Sequence, residues 1–302
     1  MLANEAVETV RSMLTGSQID EISTLSAAYD HATDSSITLK YAKRSVAVGS
    51  TITVGLNTFT VVATSGDGQR LDVIPSMDGG PNVDAPVDSI VRIRPQFTTW
   101  ALFRELQSEI DSMSSPATGL FYPQVYEATT LDRNGGIYAI PDFPTGYPFR
   151  LLRSEYLVSG TTQMWSTFTD AYYNRQGNYV RVYSDPPQVG GYRFSLAFPF
   201  GQITDLTTDL TTIGITNALA GIAMLGVAST MALGWEGRRT QPVLQGDSRR
   251  SAEVPVNGNA SLARQWRLQQ QAAITEEVGR LATDWGYKQA MSSGFDTVAV
   301  RR

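Results

Sequence analysis

The chain has 302 residues, 42% of them apolar and 18% charged, with a net charge of −5. That is enough for one large or two or three small cores, and no stretch is biased enough to read as a long disordered region. Cysteine is absent and His31 is the single histidine, so disulfides, thiol nucleophiles and cysteine-held metals are excluded, and any imidazole chemistry falls to His31 alone. The 24 basic and 29 acidic residues are unevenly spread: ten and seven of them lie from Trp235 onward, giving an acidic body and a basic end. Such a balance argues against general coating of nucleic acid and suits a tail that docks on an acidic partner. The first residues carry no basic segment leading into an apolar run, so no signal peptide is expected.

In chain order, Asn4 to Leu14 reads as a helix, with Val7, Val10 and Leu14 on one face and Gly16 as its stop. Ile19 to Tyr29 reads as a weaker helical continuation. The period then changes to two. Ile37, Leu39 and Tyr41; Ile52, Val54 and Leu56; Phe59, Val61 and Val62; Leu71 and Val73; and Ile90, Val91 and Ile93 mark five or six short strands, with a hairpin turn at Ser65-Gly66-Asp67-Gly68. These strands suit a small closed β-barrel or a sandwich. Pro95 ends the run.

Phe97 to Met113 is the best helix of the sequence, with a stripe of Trp100, Phe103, Leu106 and Ile110, and with Glu105, Gln107 and Glu109 mostly off it. Leu120 to Phe200 is dense in aromatics, and turns are expected at Asn134-Gly135-Gly136, Ser159-Gly160, Gln176-Gly177-Asn178 and Val189-Gly190-Gly191. That spacing predicts a sandwich of seven or eight antiparallel strands, with the run from Gly190 to Phe198 as a central one. The aromatics are its default core. Exposed ones around Tyr172-Tyr173-Asn174-Arg175 would serve contacts between subunits, or a glycan or receptor.

Leu210 to Trp235 has no charge until its end and is long enough to span a membrane, but its many Gly, Ala, Ser and Thr residues favour a helix buried on several faces. A polar linker follows, then a long amphipathic helix, Ala260 to Tyr287, with Leu262, Trp266, Ile274, Val278, Leu281 and Trp285 and with Gln269–Gln270 inside the stripe. The expected fold class is α+β. A four-helix bundle (1–30, 96–115 and 205–290) carries a small β-barrel or sandwich module (36–95) and a larger aromatic β-sandwich (118–202) inserted between helices. A linker (236–258) and a C-terminal tail (288–302) complete the chain.

Chemistry is thinly represented. His31 has no second imidazole or thiol beside it, so a surface histidine is the plain reading. Asp67/Asp72 and Asp78/Asp84/Asp88 lack the spacing and the closing Glu of an EF-hand, and solvated turns explain them better than calcium does. No serine lies in a nucleophile-elbow context, and no phosphate-binding glycine loop occurs. No catalytic residue, cofactor or metal is therefore expected. Arg238-Arg239 and Arg249-Arg250 around the linker could meet DNA, meet carboxylates of a partner, or simply be solvated.

One β unit has a counterpart elsewhere. Val48-Gly49-Ser-Thr-Ile-Thr-Val-Gly55-Leu-Asn-Thr-Phe-Thr-Val-Val62, with Leu71-Asp-Val-Ile-Pro, resembles a Gly-x-x-ϕ-x-ϕ-Gly strand unit of phage structural proteins. The loop that follows departs, with Ser76-Met77-Asp78-Gly79-Gly80 where the pattern has Arg-Gly and Gly-Thr. Ser115-Pro116-Ala-Thr-Gly119-Leu120-Phe121, Ala223-Met-Leu-Gly226, the linker arginines and the run from Glu277 to Tyr287 are similar, in order, to head-to-tail adaptor proteins of siphophages infecting actinobacteria.

The resemblance implies a non-enzymatic virion protein of the neck, assembled in the host cytoplasm. It would form a ring of dodecamer type beneath the portal protein. Its partners would be the portal, the next neck or tail protein (stopper or tail terminator) and further copies of itself, with genomic DNA passing through the channel and no membrane. The segment holding Phe295, Val300, Arg301 and Arg302, with Arg249 and Arg250, would contact the portal. The alternative is another virion component that uses the aromatic sandwich to bind a partner or glycan; a soluble hydrolase centred on His31 is the third reading.

Overall fold

The computed structural model describes residues 1–16, 20–43, 45–75, 78–128, 136–140, 146–158, 164–183, 189–243 and 258–285. The chain divides into two compact units, 1–113 with 202–271, and 114–201 with 272–302. The fold is a mixture of helices and antiparallel sheets, as the α+β expectation has it.

In the first unit, helix α1 (Ala3–Thr15) buries Ala3, Ala6, Val7 and Val10 and is stopped by Gly16 at φ 59°. Its first amides would be orphaned at a bare helix end. Instead Ala3 N donates to Thr208 O and Asn4 N to Leu206 O, both at 2.9 Å. Six strands follow: β1 (Glu21–Thr24), β2 (Ser36–Thr38), β3 (Thr51–Val54), β4 (Asn57–Thr64), β5 (Arg70–Pro75) and β6 (Ile90–Ile93). They form one sheet in the order β1-β6-β3-β4-β5-β2. The sheet curls until Leu25 bridges Leu39, joining its first and last strands.

Two devices bend the sheet. The β3–β4 hairpin turns through Gly55 and Leu56, with Gly55 at φ 58°, a place where a two-residue hairpin needs glycine. A register shift between Val61 and Ala63 leaves Val62 bulged out and 43% exposed. Inside lie Leu25, Ile52, Phe59, Val61, Leu71 and Val91, with Tyr29 edge-on to Phe59 at 5.1 Å.

The helical expectation over Ile19 to Tyr29 is overturned, since Glu21–Thr24 is a strand registered on β6 from Glu21↔Ile93 to Thr24↔Ile90. Ile22 is 39% exposed on the outer face, and Ser23 is the buried residue. Tyr41, read as inward-facing, is 63% exposed.

Helix α2 (Thr99–Met113) buries Leu102, Phe103, Leu106, Ile110 and Met113, and Thr98 Oγ1 accepts from Ala101 N at its start. After a 3-10 turn at Leu210–Ile213 that ends at Gly214 (φ 89°), helix α3 (Asn217–Val243) packs on α1 and α2. Asn217–Gly234 is long and apolar enough to cross a membrane, but half of it is buried within the protein, the manner of a core helix. The helix continues past Trp235 to Val243, so the first part of the expected linker is helical.

Helix α4 (Gly258–Asp284) contributes to both units, the first through Gln271 and the second from Ala272. The helices do not make a four-helix bundle. α1 and α2 are also committed to the barrel, through ion pairs and hydrogen bonds at Glu8, Arg11 and Thr99 described below, and α4 buries few residues. Leu262 is 38% and Leu268 67% exposed, whereas the polar Gln270 is 2% exposed.

Gln270 is held by Glu109, which the helical wheel had put off the stripe. Gln270 Nε2 donates to Glu109 Oε2 at 3.1 Å, and Arg267 Nη1 reaches Gln270 Oε1 at 2.5 Å and Glu109 Oε1 at 3.4 Å. Gly226 of α3 makes room for this group, because a Cβ there would lie 2.5 Å from Glu109 Oε2. Gly226→Val is expected to drive Glu109 and Gln270 apart and to cost about 1–3 kcal/mol, as overpacking does. Urea denaturation would read the loss, with faster hydrogen exchange in 258–271 than in the barrel; an unchanged midpoint would contradict it.

The second unit is the expected antiparallel sandwich, with seven strands among the described residues. β7 (Tyr122–Ala128), β9 (Arg150–Val158), β10 (Trp165–Phe168) and β13 (Val189–Phe198) form a sheet in the order β10-β9-β13-β7. β8 (Ile137–Ala139), β11 (Ala171–Asn174) and β12 (Tyr179–Val182) form another in the order β11-β12-β8. The expected central strand is β13, paired on both sides. The turn expected at Val189-Gly190-Gly191 is instead the start of this strand, with a register shift between Val189 and Tyr192. Tyr192, Phe194, Leu196 and Phe198 from one sheet meet Tyr138, Tyr173, Val180 and Val182 from the other. Asn134–Gly135 and Ser159–Gly160 lie outside the described residues.

Candidate interaction surfaces

Three places gather polar or exposed groups, two in the first unit and one in the second. The first is a charge quartet where α1 meets the outside of the barrel. Strand alternation puts Ile52 and Val54 inside, so Thr53, Arg92 and Thr58 form an outward row. Arg92 Nη2 donates to Glu8 Oε2 at 2.6 Å, and its Nη1 lies 3.5 Å from Asp20 Oδ2. Arg11, 5% exposed, places Nη1 on Phe97 O at 2.5 Å and Nη2 on Thr99 Oγ1 at 2.9 Å, with Asp20 Oδ2 at 3.4 Å. Burial draws the Arg11 guanidinium below its ordinary value; Glu8 and Asp20 oppose that, and Arg92 adds to it. The quartet alternates sign, and its members answer one another.

Beside it opens a cleft of about 360 Å³, lined by Glu8, Arg92, Thr53, Leu56, Val83 and Ile90 among others. Thr53 Oγ1 is buried without a hydrogen-bond partner. The cleft's arginine is already paired with its glutamate, so what the cleft offers is shape and apolar walls rather than a nucleophile with a base.

The second place is the loop pair at Asp30, His31 and Asp84, whose ligand atoms all lie within 4.8 Å of one another and are all exposed. Asp84 Oδ1 accepts from His31 N at 3.0 Å and faces His31 Nδ1 at 2.8 Å. Asp30 accepts from Ala32 N and Thr33 Oγ1, and Asp34 accepts from Asp30 N. Asp84 thus clamps the two loops that the Tyr29↔Ala85 bridge joins, while Asp30 and Asp34 tie up their own loop. Of the other aspartates read as turn residues, Asp67 accepts from Gln69 N, Asp78 from Gly80 N, and Asp88 pairs with Lys40 Nζ at 2.9 Å, whereas Asp72 lies within β5, opposite Ser36.

The hydrogen bonds from the His31 side chain and backbone hold the Asp84 carboxyl below the usual carboxylate range. A depressed carboxylate adds stability above its unfolded pKa, about 4, and loses it as pH falls through the lower folded value. In His31→Ala the Asp84 titration, followed by NMR, is expected to move up toward the ordinary value. An Asp84 titration unmoved by the substitution would mean that His31 does not hold it.

The third place is the outer face of the three-stranded sheet. Register aligns Tyr172, Arg181 and Ile137 in one row and Asn174, Tyr179 and Ala139 in the next. Tyr172 is 58%, Tyr183 61% and Ile137 59% exposed, while Tyr173, Val180 and Tyr138, on the alternate positions, are core. The Arg181 guanidinium lies 5.1 Å from the centre of the Tyr183 ring.

Arg249, Arg250, Phe295, Val300, Arg301 and Arg302 all lie outside the described residues. The Glu8–Arg11–Asp20–Arg92 quartet was not singled out by sequence reasoning, whereas exposed aromatics were expected around Tyr172-Tyr173-Asn174-Arg175, of which Tyr172 is exposed and Tyr173 buried. Only the alternation in Ala171–Asn174 and Tyr179–Val182 could have separated the exposed tyrosines from the buried ones. No family model matches the chain, and no curated protein matches it either.

Proposed function

We propose that this protein is a structural component of a phage virion, a head-to-tail adaptor that works by shape. Copies form a ring beneath the portal, link the DNA-filled capsid to the tail, and present a docking surface to the next neck protein. The observation that supports this reading most is the outer face of the β11-β12-β8 sheet, where Tyr172, Ile137 and the neighbouring Tyr183 are all more than half exposed. Such surfaces belong to proteins completed by neighbours. The polar groups of the charge quartet and of the His31 loop serve as ties inside the fold, which is the use a scaffold makes of them.

In this reading the tail from residue 288, with Arg301 and Arg302, contacts the portal. Electron microscopy of the protein alone and with its portal protein tests the proposal. A ring on the portal in matching cyclic symmetry is the expected result. A chain that ignores the portal would overturn the adaptor reading, and retention of portal binding after deletion of 288–302 would overturn the role of the tail.

A further inference from the structure

The outer face of the β11-β12-β8 sheet has the makings of an interface rather than of a solvated sheet. In one row it carries Tyr172, Arg181 and Ile137, with Tyr183 beside Arg181. Tyrosine and arginine are the side chains enriched where binding energy concentrates, because they bring large, stiff apolar area with a polar end. Arg181 has no ion-pair partner among the described residues, and Arg175 in the adjoining turn is also exposed and unpaired there. The nearest carboxylate along the chain, Asp185, lies outside the described residues; Asp170, in the turn before β11, accepts at its carbonyl from Tyr183 N.

The same chain carries a surface of opposite character. The loop end of the barrel exposes Asp30, Asp34 and Asp84, with Asp88 close by on Lys40. Val83 and Val87, 46% and 50% exposed, stand in the same loop and supply apolar area. One patch is aromatic and cationic and the other aliphatic and anionic, so they complement each other in charge and in apolar content.

We propose that the outer face of the β11-β12-β8 sheet, centred on Arg181 and Tyr172, docks on the Asp30–Asp34–Asp84 loop end of a second copy of this chain. The two patches differ, so the contact is heterologous: each copy offers one patch to one neighbour and the other patch to the next, and the series closes as a ring when the rotation allows. The inference rests on the ring reading above and names the surfaces that would build it.

The test is self-association of the full chain, followed by light scattering and native mass spectrometry across protein and salt concentration. Association is expected to weaken with salt, since the charges are exposed. Arg181→Glu is expected to weaken association at least tenfold while the thermal melting curve stays in place, the side chain being exposed. Adding Asp34→Arg to Arg181→Glu is expected to restore part of it. Association that survives both Arg181→Glu and Tyr172→Ala would overturn the named surfaces and leave the ring reading intact. A chain that never self-associates would overturn the inference, while the portal experiment still decides the adaptor reading. Binding of cell-wall polysaccharide that Tyr172→Ala abolishes, with self-association untouched, would overturn it in favour of a glycan-binding face.

Discussion

Arg11→Ala is expected to destabilise the first unit by about 3–5 kcal/mol, the usual loss when one member of a buried charge group is removed. The size follows from what is left behind. Asp20, with a side chain only 8% exposed, loses a guanidinium, and the Phe97 carbonyl and Thr99 hydroxyl lose their donors. Arg92 could still neutralise Asp20, at 3.5 Å, so the loss falls at the lower end if the loop relaxes toward it. Lysine should not rescue, because one ammonium cannot serve Phe97 O and Thr99 Oγ1 in the fork that the guanidinium makes. The measurement is the urea midpoint of the full chain; a loss under about 1 kcal/mol would show that the quartet is ornamental to stability.

Phe194→Ala should cost as much, about 3–5 kcal/mol, in the other unit. Phe194 sits fully buried on the central strand, stacked on Tyr192 at 6.0 Å and 5.5 Å from Tyr138 of the facing sheet. Its removal empties the middle of the sandwich where rings from both sheets meet. The two units have separate cores, so cleavage by a protease is expected to appear within 114–201 while the barrel stays protected. Equal loss of protection in both would show that they unfold as one.

Much of this architecture was legible where one element buries one regular face. Val7 and Val10 gave away α1, the stripe of Trp100, Phe103, Leu106 and Ile110 α2, and the run from Gly190 to Phe198 the central strand, because each carries its own period through enough residues to be read locally. Glu21–Thr24 carries no such signal. It is four residues long, shows Ile22 to solvent, and is a strand only because β6, some seventy residues away, pairs with it. The buried Glu109–Gln270 bond joins residues 161 apart. Gln270 within an apolar stripe and Gly226 in an uncharged helix were its only local marks. The exposed tyrosine face was half legible, since the aromatics were plain but their division between core and surface depends on where each short strand begins. The arginines expected to meet the portal lie in 244–257 and 286–302, outside the described residues.

The bridge between Leu25 and Leu39 has a consequence for how the chain behaves before it meets its partners. A curled sheet whose ends are tied at that point offers less free edge to another chain, so the first unit is less open to strand-by-strand aggregation. The sandwich is more open to it. Among the described residues its outermost strands are β7, β10, β8 and β11. β7 is blunted by Pro123 and Glu127, whereas β10 and β11 follow one another in Trp165–Asn174 with Asp170 as their one charge. Precipitation on overproduction should therefore begin there, and a lysine at the exposed Thr167 would be the gentlest guard against it.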